Sequence, residues 1–459
     1  MGGRISAETV IADNGPLKKF SGAEPINDND PFWNKLLSFN LKIDDHDTAQ
    51  IHAFDDSLND FLQSLMYNNQ TSGNFAAFIR VFLRLSKELK TSERFENIIF
   101  LWQASNALII LRYICKFLTQ RMSESEFVKA FTSSVSTASS SVGSSRDESD
   151  SENDSDCECQ YSSTAERVLD TLIDILADLP VNETTMAIHV ECVKCLIVML
   201  SSQLYNETVV NTSVVFSYFI TGACSRRAAV LTKTLLHNYL VHNTEYHTFK
   251  KTNGGSIVLQ IAASVWSFVQ AATSEEEDSG NVQDYPLTLG SLSILLLLNL
   301  ACHHPAKGCN PFKETLALFQ NSQEVSSLVA EKVTFKLDYN SLYERLCATA
   351  CQEPPMLLLY LLLHRNSGFK NFVLSRINLE NLVLPVLRIL HDGVASLSSN
   401  SHHMYLALIV MLILSEDDFF CKIIHETMIN DVCWLDNDRP IREISLGGLC
   451  VMVFCPYGS

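Results

Sequence analysis

The sequence holds 459 residues, 47% of them hydrophobic, with a formal net charge of −18. That is enough apolar material for a large core, and 17 glycines and 12 prolines are few, which suits helices joined by short turns and excludes a β-sandwich full of tight ones. No Lys/Arg-rich stripe interleaved with aromatics relieves the acidic surplus, so nucleic acid is excluded as a partner, because its binding rests on neutralised phosphates.

The chain begins Met1-Gly2-Gly3-Arg4-Ile5-Ser6, an N-myristoylation pattern. Gly2 becomes a free, unbranched amine once Met1 is removed, and Ser6 is the small hydroxyl residue at the sixth position. So short a pattern also arises by chance, and an unmodified terminus is the bland reading. A single myristoyl chain binds membranes marginally, with an association constant of about 10⁴ M⁻¹. Arg4, Lys18 and Lys19 are a thin basic supplement, so the expectation is reversible, peripheral association. Residues 1–28 read as a flexible tail carrying this lipidation site, and 29–132 as an N-terminal helical region. Asp30-Pro31 opens it, Asp as cap and Pro at the first helical position, where its missing N–H costs nothing. Phe75, Phe78, Ile79, Phe82 and Leu85 recur on one helical face, and Ser123 with Glu126 has capping-box spacing.

Residues 133–163 differ in kind. They are Ser-rich, then acidic with Arg146 alone opposing, and too poor in large apolar residues to offset ordering entropy, which predicts a disordered loop. Within it Ser149, Ser151 and Ser155 are followed by acids, a setting for acidophilic phosphorylation, with a plain soluble spacer as the alternative. Residues 164–459 read as a helical-repeat region. Ser163 and Glu166 have capping-box spacing. Val168, Leu169, Leu172, Ile175, Leu176 and Leu179 face inward, with Asp170, Asp174 and Asp178 as the opposite stripe. Further helices are predicted over 184–205, 226–242 and 256–273. Very apolar blocks follow at 356–364, 378–390, 403–414 and 443–454, and they can be soluble only if neighbouring helices bury them. The sum is an all-α fold, an irregular HEAT- or armadillo-like helical solenoid with a disordered acidic Ser-rich loop.

Catalytic and metal signals are weak. Cys192 and Cys195 have C-x-x-C spacing but lie inside an apolar helical run with no second pair, so both read as core thiols. Cys302, His303, His304 and Cys309 crowd a loop too tightly for tetrahedral geometry. His402 and His403 fall at a helix start, and His425-Glu426 meets Ile429 where a zincin helix needs histidine. With no secretory leader near Met1, the 14 cysteines read as reduced, in the cytosol. No catalytic residue, metal, cofactor or small-molecule substrate is expected. The alternative architecture is a single membrane span over 285–306, which has a continuous apolar core but Thr288, Ser291, Ser293 and Asn299 within it.

Asn29-Asp-Pro-Phe-Trp-Asn-Lys-Leu-Leu-Ser-Phe39, Asn378-Leu-Glu-Asn-Leu-Val-Leu-Pro-Val-Leu387, Ser401-His-His-Met-Tyr-Leu-Ala-Leu-Ile-Val410 with Ser415-Glu-Asp-Asp418, and Glu443-Ile-Ser-Leu-Gly447 are collinear along the chain. Together they resemble the dymeclin family, with the middle, about 133–340, less similar. The resemblance implies a cytosolic, non-enzymatic protein at the Golgi surface. Its expected work is Golgi organisation and secretory traffic through trafficking or Golgi proteins of unnamed identity, with Gly2 at the family's myristoylated position. Family members continue beyond the Glu443 segment, so the ending at Ser459 reads as a truncation that leaves an apolar face on the last helix.

Overall fold

The computed structural model describes residues 15–38, 48–91, 97–132, 162–205, 212–243, 288–306, 308–323, 334–395, 401–432 and 441–454. Gly2, Ser149, Ser151, Ser155, nearly all of the acidic loop and the helix expected over 256–273 lie outside them.

The described chain is helical, as the apolar periodicity predicts. Its helices are α1 (Gly15–Phe20), α2 (Phe32–Leu37), α3 (Thr48–Ser72), α4 (Asn74–Thr91), α5 (Ile98–Arg121), α6 (Glu124–Ala130), α7 (Thr164–Asp178), α8 (Met186–Met199), α9 (Val214–Ile220) and α10 (Ala228–Val241). They continue as α11 (Leu289–Cys302), α12 (Pro311–Leu318), α13 (Tyr339–Thr349), α14 (Glu353–Arg365), α15 (Ser367–Leu374), α16 (Glu380–Ala395), α17 (Ser401–Ser415), α18 (Asp418–Glu426) and α19 (Leu446–Phe454). Long helices pair as α4 with α5, α7 with α8, α10 with α11, α13 with α14, and α16 with α17. These hairpins stack. Their second helices form an inner row, α5–α8–α11–α14–α17, and their first helices an outer row, α4–α7–α10–α13–α16, which α19 extends by packing on α16. Besides its hairpin partner, each of these helices packs on the one before and the one after it in its row, the construction of a helical solenoid.

The reason for two rows is in the composition. An inner helix is covered on several sides at once, so it is apolar nearly all round: α8 buries every residue from Ile188 to Met199. Outer helices keep one polar face. In α4, Phe75, Phe78, Ile79 and Phe82 are buried while Arg80 and Arg84 are exposed.

Several local expectations are met at atomic detail. Asp30 Oδ1 accepts from Phe32 N–H at 2.8 Å, opening α2. Ser123 and Glu126 form the reciprocal capping box of α6. At α7 only half of the box forms. Ser163 Oγ accepts from Glu166 N–H at 3.2 Å, but the Glu166 carboxylate turns to Ser162 N–H and Ala223 N–H, both at 2.6 Å, tying α7 to the next turn of chain.

Other expectations are revised. Residues 15–28, read as part of a tail, are packed: Phe20 and Ile26 are buried, and Asn74 ties this stretch down by donating to Phe20 O at 3.1 Å and accepting from Ile26 N–H at 2.9 Å. Residues 443–445, read as the start of the helical block over 443–454, belong instead to a strand, and the helix begins at Leu446. Strand β3 (Met428–Val432) pairs antiparallel with β4 (Ile441–Ser445) before α19 begins. Earlier in the chain, β1 (Gln320–Asn321) and β2 (Lys336–Leu337) form a two-residue parallel bridge. The candidate span over 285–306 is a 14-residue helix, α11, capped by Thr288. At 1.5 Å per residue it reaches about 21 Å, short of a hydrocarbon core of about 30 Å. Among the described residues one helix, α5, is long and apolar enough to cross a membrane by length and composition, with 24 residues, and 61% of its most apolar window is buried in the stack.

Candidate functional site

Residues singled out for chemistry do not converge. Cys192 and Cys195 are completely buried core thiols in α8, and burial raises both far above the usual thiol range. Cys195 Sγ donates to Leu108 O of α5 at 3.3 Å, a helix-to-helix contact. Cys302 and Cys309 are exposed, while His303 turns inward and stacks on Phe216 with ring centroids 4.0 Å apart. His402 and His403 lie in the first turn of α17. Among the described residues, no three or more His, Cys, Asp or Glu side chains are grouped as a metal site.

The strongest electrostatic feature is one that the apolar run of α8 concealed. Arg112 of α5 and Glu191 and Lys194 of α8 are all fully buried between the two helices. Arg112 Nε donates to Glu191 Oε2 at 2.7 Å, and Lys194 Nζ to Glu191 Oε1 at 3.4 Å. Burial is the largest single influence and works to lower the guanidinium pKa, but the charge and hydrogen bond of Glu191, helped by Tyr113 and Cys195, together outweigh it and the net shift is upward. Glu191 mirrors this: burial would raise its pKa, and Arg112 and Lys194 together hold it below the ordinary value. Lys194 is pulled down to about 8, chiefly by burial, with Glu191 opposing. His189, one turn earlier, is wholly buried and pushed down to about 4 by burial, with His242 adding to the shift. The legible signal was Glu191 with Lys194 three residues apart in an otherwise apolar helix.

A second charged seam corrects the acidic stripe of α7. Asp170 and Asp174, expected to face away from the core, are mostly buried. Asp174 pairs with Lys90 of α4 and with Arg227, and Asp170 lies 3.3 Å from Arg227 Nε. Asp170 and Asp174 thus face the neighbouring hairpins of the outer row, while Asp178, the last of the stripe, is exposed as expected.

Where the molecule offers surface, two places stand out. At the amino-terminal end, residues 27–38, which hold the described part of the Asn29–Phe39 motif, form a capped corner. Trp33 Nε1 donates to Asn27 O at 2.8 Å, Arg84 Nη1 donates to Asn29 Oδ1 at 2.8 Å, and Arg80 Nη2 donates to Asp28 Oδ1 at 2.8 Å. Phe20, Phe32, Trp33 and Phe78 pack edge-on or tilted beneath it. At the opposite end, α17 buries Ala407, Val410, Met411, Ile413 and Leu414 against the stack but exposes Tyr405 (59%), Leu408 (37%), Ile409 (39%) and Leu412 (62%). That spacing of three, one and three places them in a single stripe. Phe419 of α18 and Val451 and Phe454 of α19 are also exposed.

Comparison with known proteins agrees along the full length. The family described as "Dymeclin: Dyggve-Melchior-Clausen syndrome protein" matches residues 1–456. The chain is 35% identical over 464 residues to dymeclin of Gallus gallus, covering 99% of this chain and 66% of that protein. Dymeclin of Mus musculus is 34% identical over 468 residues, with 99% and 66% covered. Dymeclin of Drosophila melanogaster is 31% identical over 482 residues, with 99% and 67% covered. The chain therefore spans about two thirds of the length of these relatives. No solved structure matches it. With a match that runs from the first residue through α19, the chain belongs to the dymeclin family.

Proposed function

We propose that this chain is a non-enzymatic scaffold at the cytosolic face of the Golgi, needed for Golgi organisation and secretory traffic, and held there reversibly through an N-myristoylated Gly2. The observation that carries the reading is membership of the dymeclin family over residues 1–456. The stacked hairpins support a scaffold, because a solenoid presents long, nearly continuous faces to partners. Burial of its charged clusters between helices supports a structural role for them. The Met1–Ser6 pattern supports lipidation, and one acyl chain binds weakly enough for release and return.

Lipidation is tested by expressing the full chain and its Gly2→Ala variant in cells fed an alkyne analogue of myristate. Labelling and membrane recovery of the unchanged chain are expected, with both lost in the variant. Carbonate extraction is expected to release the protein, as it does a peripheral one. Equal membrane recovery of the two forms would refute lipid anchoring, and carbonate resistance would refute peripheral association.

A further inference from the structure

Packing at the amino-terminal end gathers cations that lie far apart in sequence. Lys18 and Lys19 stand on α1, Lys35 on α2, and Arg80 and Arg84 on α4, all of them exposed. Arg80 Nη2 donates to Asp28 Oδ1 at 2.8 Å, and Arg84 donates to Asn29 Oδ1 at 2.8 Å and to Asp28 O at 3.1 Å. Lys19 reaches the same turn from α1, 3.6 Å from Asp30 Oδ2 and 4.9 Å from the centroid of the Phe32 ring. Three acids share this corner, Glu24, Asp28 and Asp30, and two of them are already engaged. Asp28 is held by Arg80, and Asp30 by Lys19 and by the cap of α2. Among the described residues, Arg84 donates to uncharged oxygens and Lys18 and Lys35 have no acidic partner. Lys87 and Glu88, next on α4, cancel in charge. Five cations against three acids make a positive pole on a chain whose net charge is −18.

The place of this pole selects its occupant. Gly2 stands thirteen residues before Gly15, where α1 begins, so the stretch between them spans at most about 45 Å when fully extended. An acyl chain inserted from Gly2 holds the corner close to the bilayer, and a contact made through so short a tether has a high effective concentration. One acyl chain alone binds marginally, and stable residence takes a second signal. The cytosolic leaflet is negative, and each Lys or Arg brought to it strengthens binding about fivefold. Lys18, Lys35 and Arg84 together supply about a hundredfold, which exposed Glu24 reduces to a few tens-fold. In the sequence, Lys18 and Lys19 are a thin supplement to the lipidation pattern. Lys35, Arg80 and Arg84 join them through the fold alone.

We propose that this corner, centred on Lys18, Lys35 and Arg84, binds the anionic phospholipid of a bilayer and supplies the second signal for membrane residence. The inference rests on the lipid-anchored reading for its acyl partner. The contact is ionic, so salt weakens it and the association stays reversible and peripheral.

The full chain is acylated by co-expression with an N-myristoyltransferase, and its sedimentation with vesicles is measured, either of phosphatidylcholine alone or with phosphatidylserine mixed in. Phosphatidylserine is expected to tighten binding at least about tenfold. The gain should disappear in the Lys18→Glu, Lys35→Glu variant, and also for the unchanged chain at high salt, where screening shortens to about 3 Å at 1 M. Both lysines are exposed, so the variant should melt as the unchanged chain does, which a thermal scan verifies. Binding to phosphatidylcholine alone reads the acyl chain: its absence would refute the anchor, whereas the ratio between the two vesicles tests the corner. Equal binding to the two, or a phosphatidylserine gain that survives the double substitution, overturns the proposal. So does a synthetic peptide of residues 147–158 that binds the unchanged chain but not the variant while phosphatidylserine adds nothing, which makes an acidic polypeptide the occupant.

Discussion

His189 is a histidine kept neutral by its surroundings, and the sign of its effect follows. Its folded pKa of about 4 lies below the ordinary 6.5, so the unfolded chain binds the proton more readily. The stability tied to the neutral ring is fully present above pH 6.5 and is lost as pH falls through about 4. A shift of that size corresponds to about 3 kcal/mol at most. Urea midpoints measured from pH 7.5 to 4 should fall, and His189→Gln should flatten the slope in the upper part of that range. An unchanged slope in the variant would assign the acid sensitivity to other groups. The Arg112–Glu191–Lys194 cluster makes a separate prediction. Arg112→Met strips the carboxylate of its closest partner and should cost about 3–5 kcal/mol, whereas replacing all three by Met or Leu should recover most of that loss, because buried charges pay heavily for desolvation. Denaturation of the single and the triple variant measures the difference. At this scale the caps at Asp30, Ser123 and Ser163 were readable from spacing alone, since a cap is local. The burial of Glu191 and Asp174 was not, because their partners Arg112 and Lys90 stand 79 and 84 residues away in sequence.

Between residues and the whole stand the joints where one helix hands over to the next, and two buried asparagines show how they are made. Asn310 accepts from Phe312 N–H at 2.9 Å to cap α12 while its amide donates to Leu300 O at 2.8 Å, at the end of α11. Asn366 repeats the device. It accepts from Phe369 N–H at 2.8 Å to cap α15 and donates to Leu316 O at 3.1 Å and Phe319 O at 2.9 Å, at the end of α12. One side chain thus satisfies orphan donors of one helix and orphan acceptors of another. Asn366→Ala should cost about 2–3 kcal/mol, the loss of a cap together with buried carbonyls left unsatisfied, and Asn366→Asp should fall between, keeping the cap without the donors. Guanidinium midpoints at fixed slope would show the order, and an Asp variant no better than Ala would mean that the cap contributes nothing. Element existence was legible wherever apolar period and stop signals coincide, as in α7 ended by Pro180 and α14 within the block at 356–364. The β3–β4 hairpin was not, because Ile441–Ser445 is a short segment with only Ile441 and Ile444 apolar, whose strand state depends on pairing with Met428–Val432. Likewise the left-handed turn at Gly73, φ 63° between α3 and α4, is invisible until the turn is seen.

At the scale of the molecule, a stack in which each hairpin touches chiefly its neighbours has energetics close to a sum of local and nearest-neighbour terms. Solenoid architecture could be inferred from apolar blocks too short to live alone, but which helix follows which within a row could not, because row order is set by ridge-and-groove packing between segments far apart in sequence. That order now has a consequence. α11 is the middle member of the inner row and packs on α8, α10 and α14, so it couples the amino-terminal hairpins to the carboxy-terminal ones. Leu297 is completely buried in it. Leu297→Ala removes apolar contacts at the coupling point and should cost about 2–5 kcal/mol locally. In a compact single core such a loss lowers every amide's protection together. In a row it should instead separate the halves, since the interface lost is the one through which the carboxy-terminal hairpins borrow stability. Hydrogen exchange read by mass spectrometry is expected to show α13, α14, α16 and α17 losing protection in the variant by the full amount, while α5 and α8 lose markedly less. Urea unfolding of the same variant should broaden or split where the unchanged chain gives one transition. A uniform loss of protection from α4 to α17 would mean that the hairpins unfold as one unit, and the nearest-neighbour account of this stack would have to be abandoned.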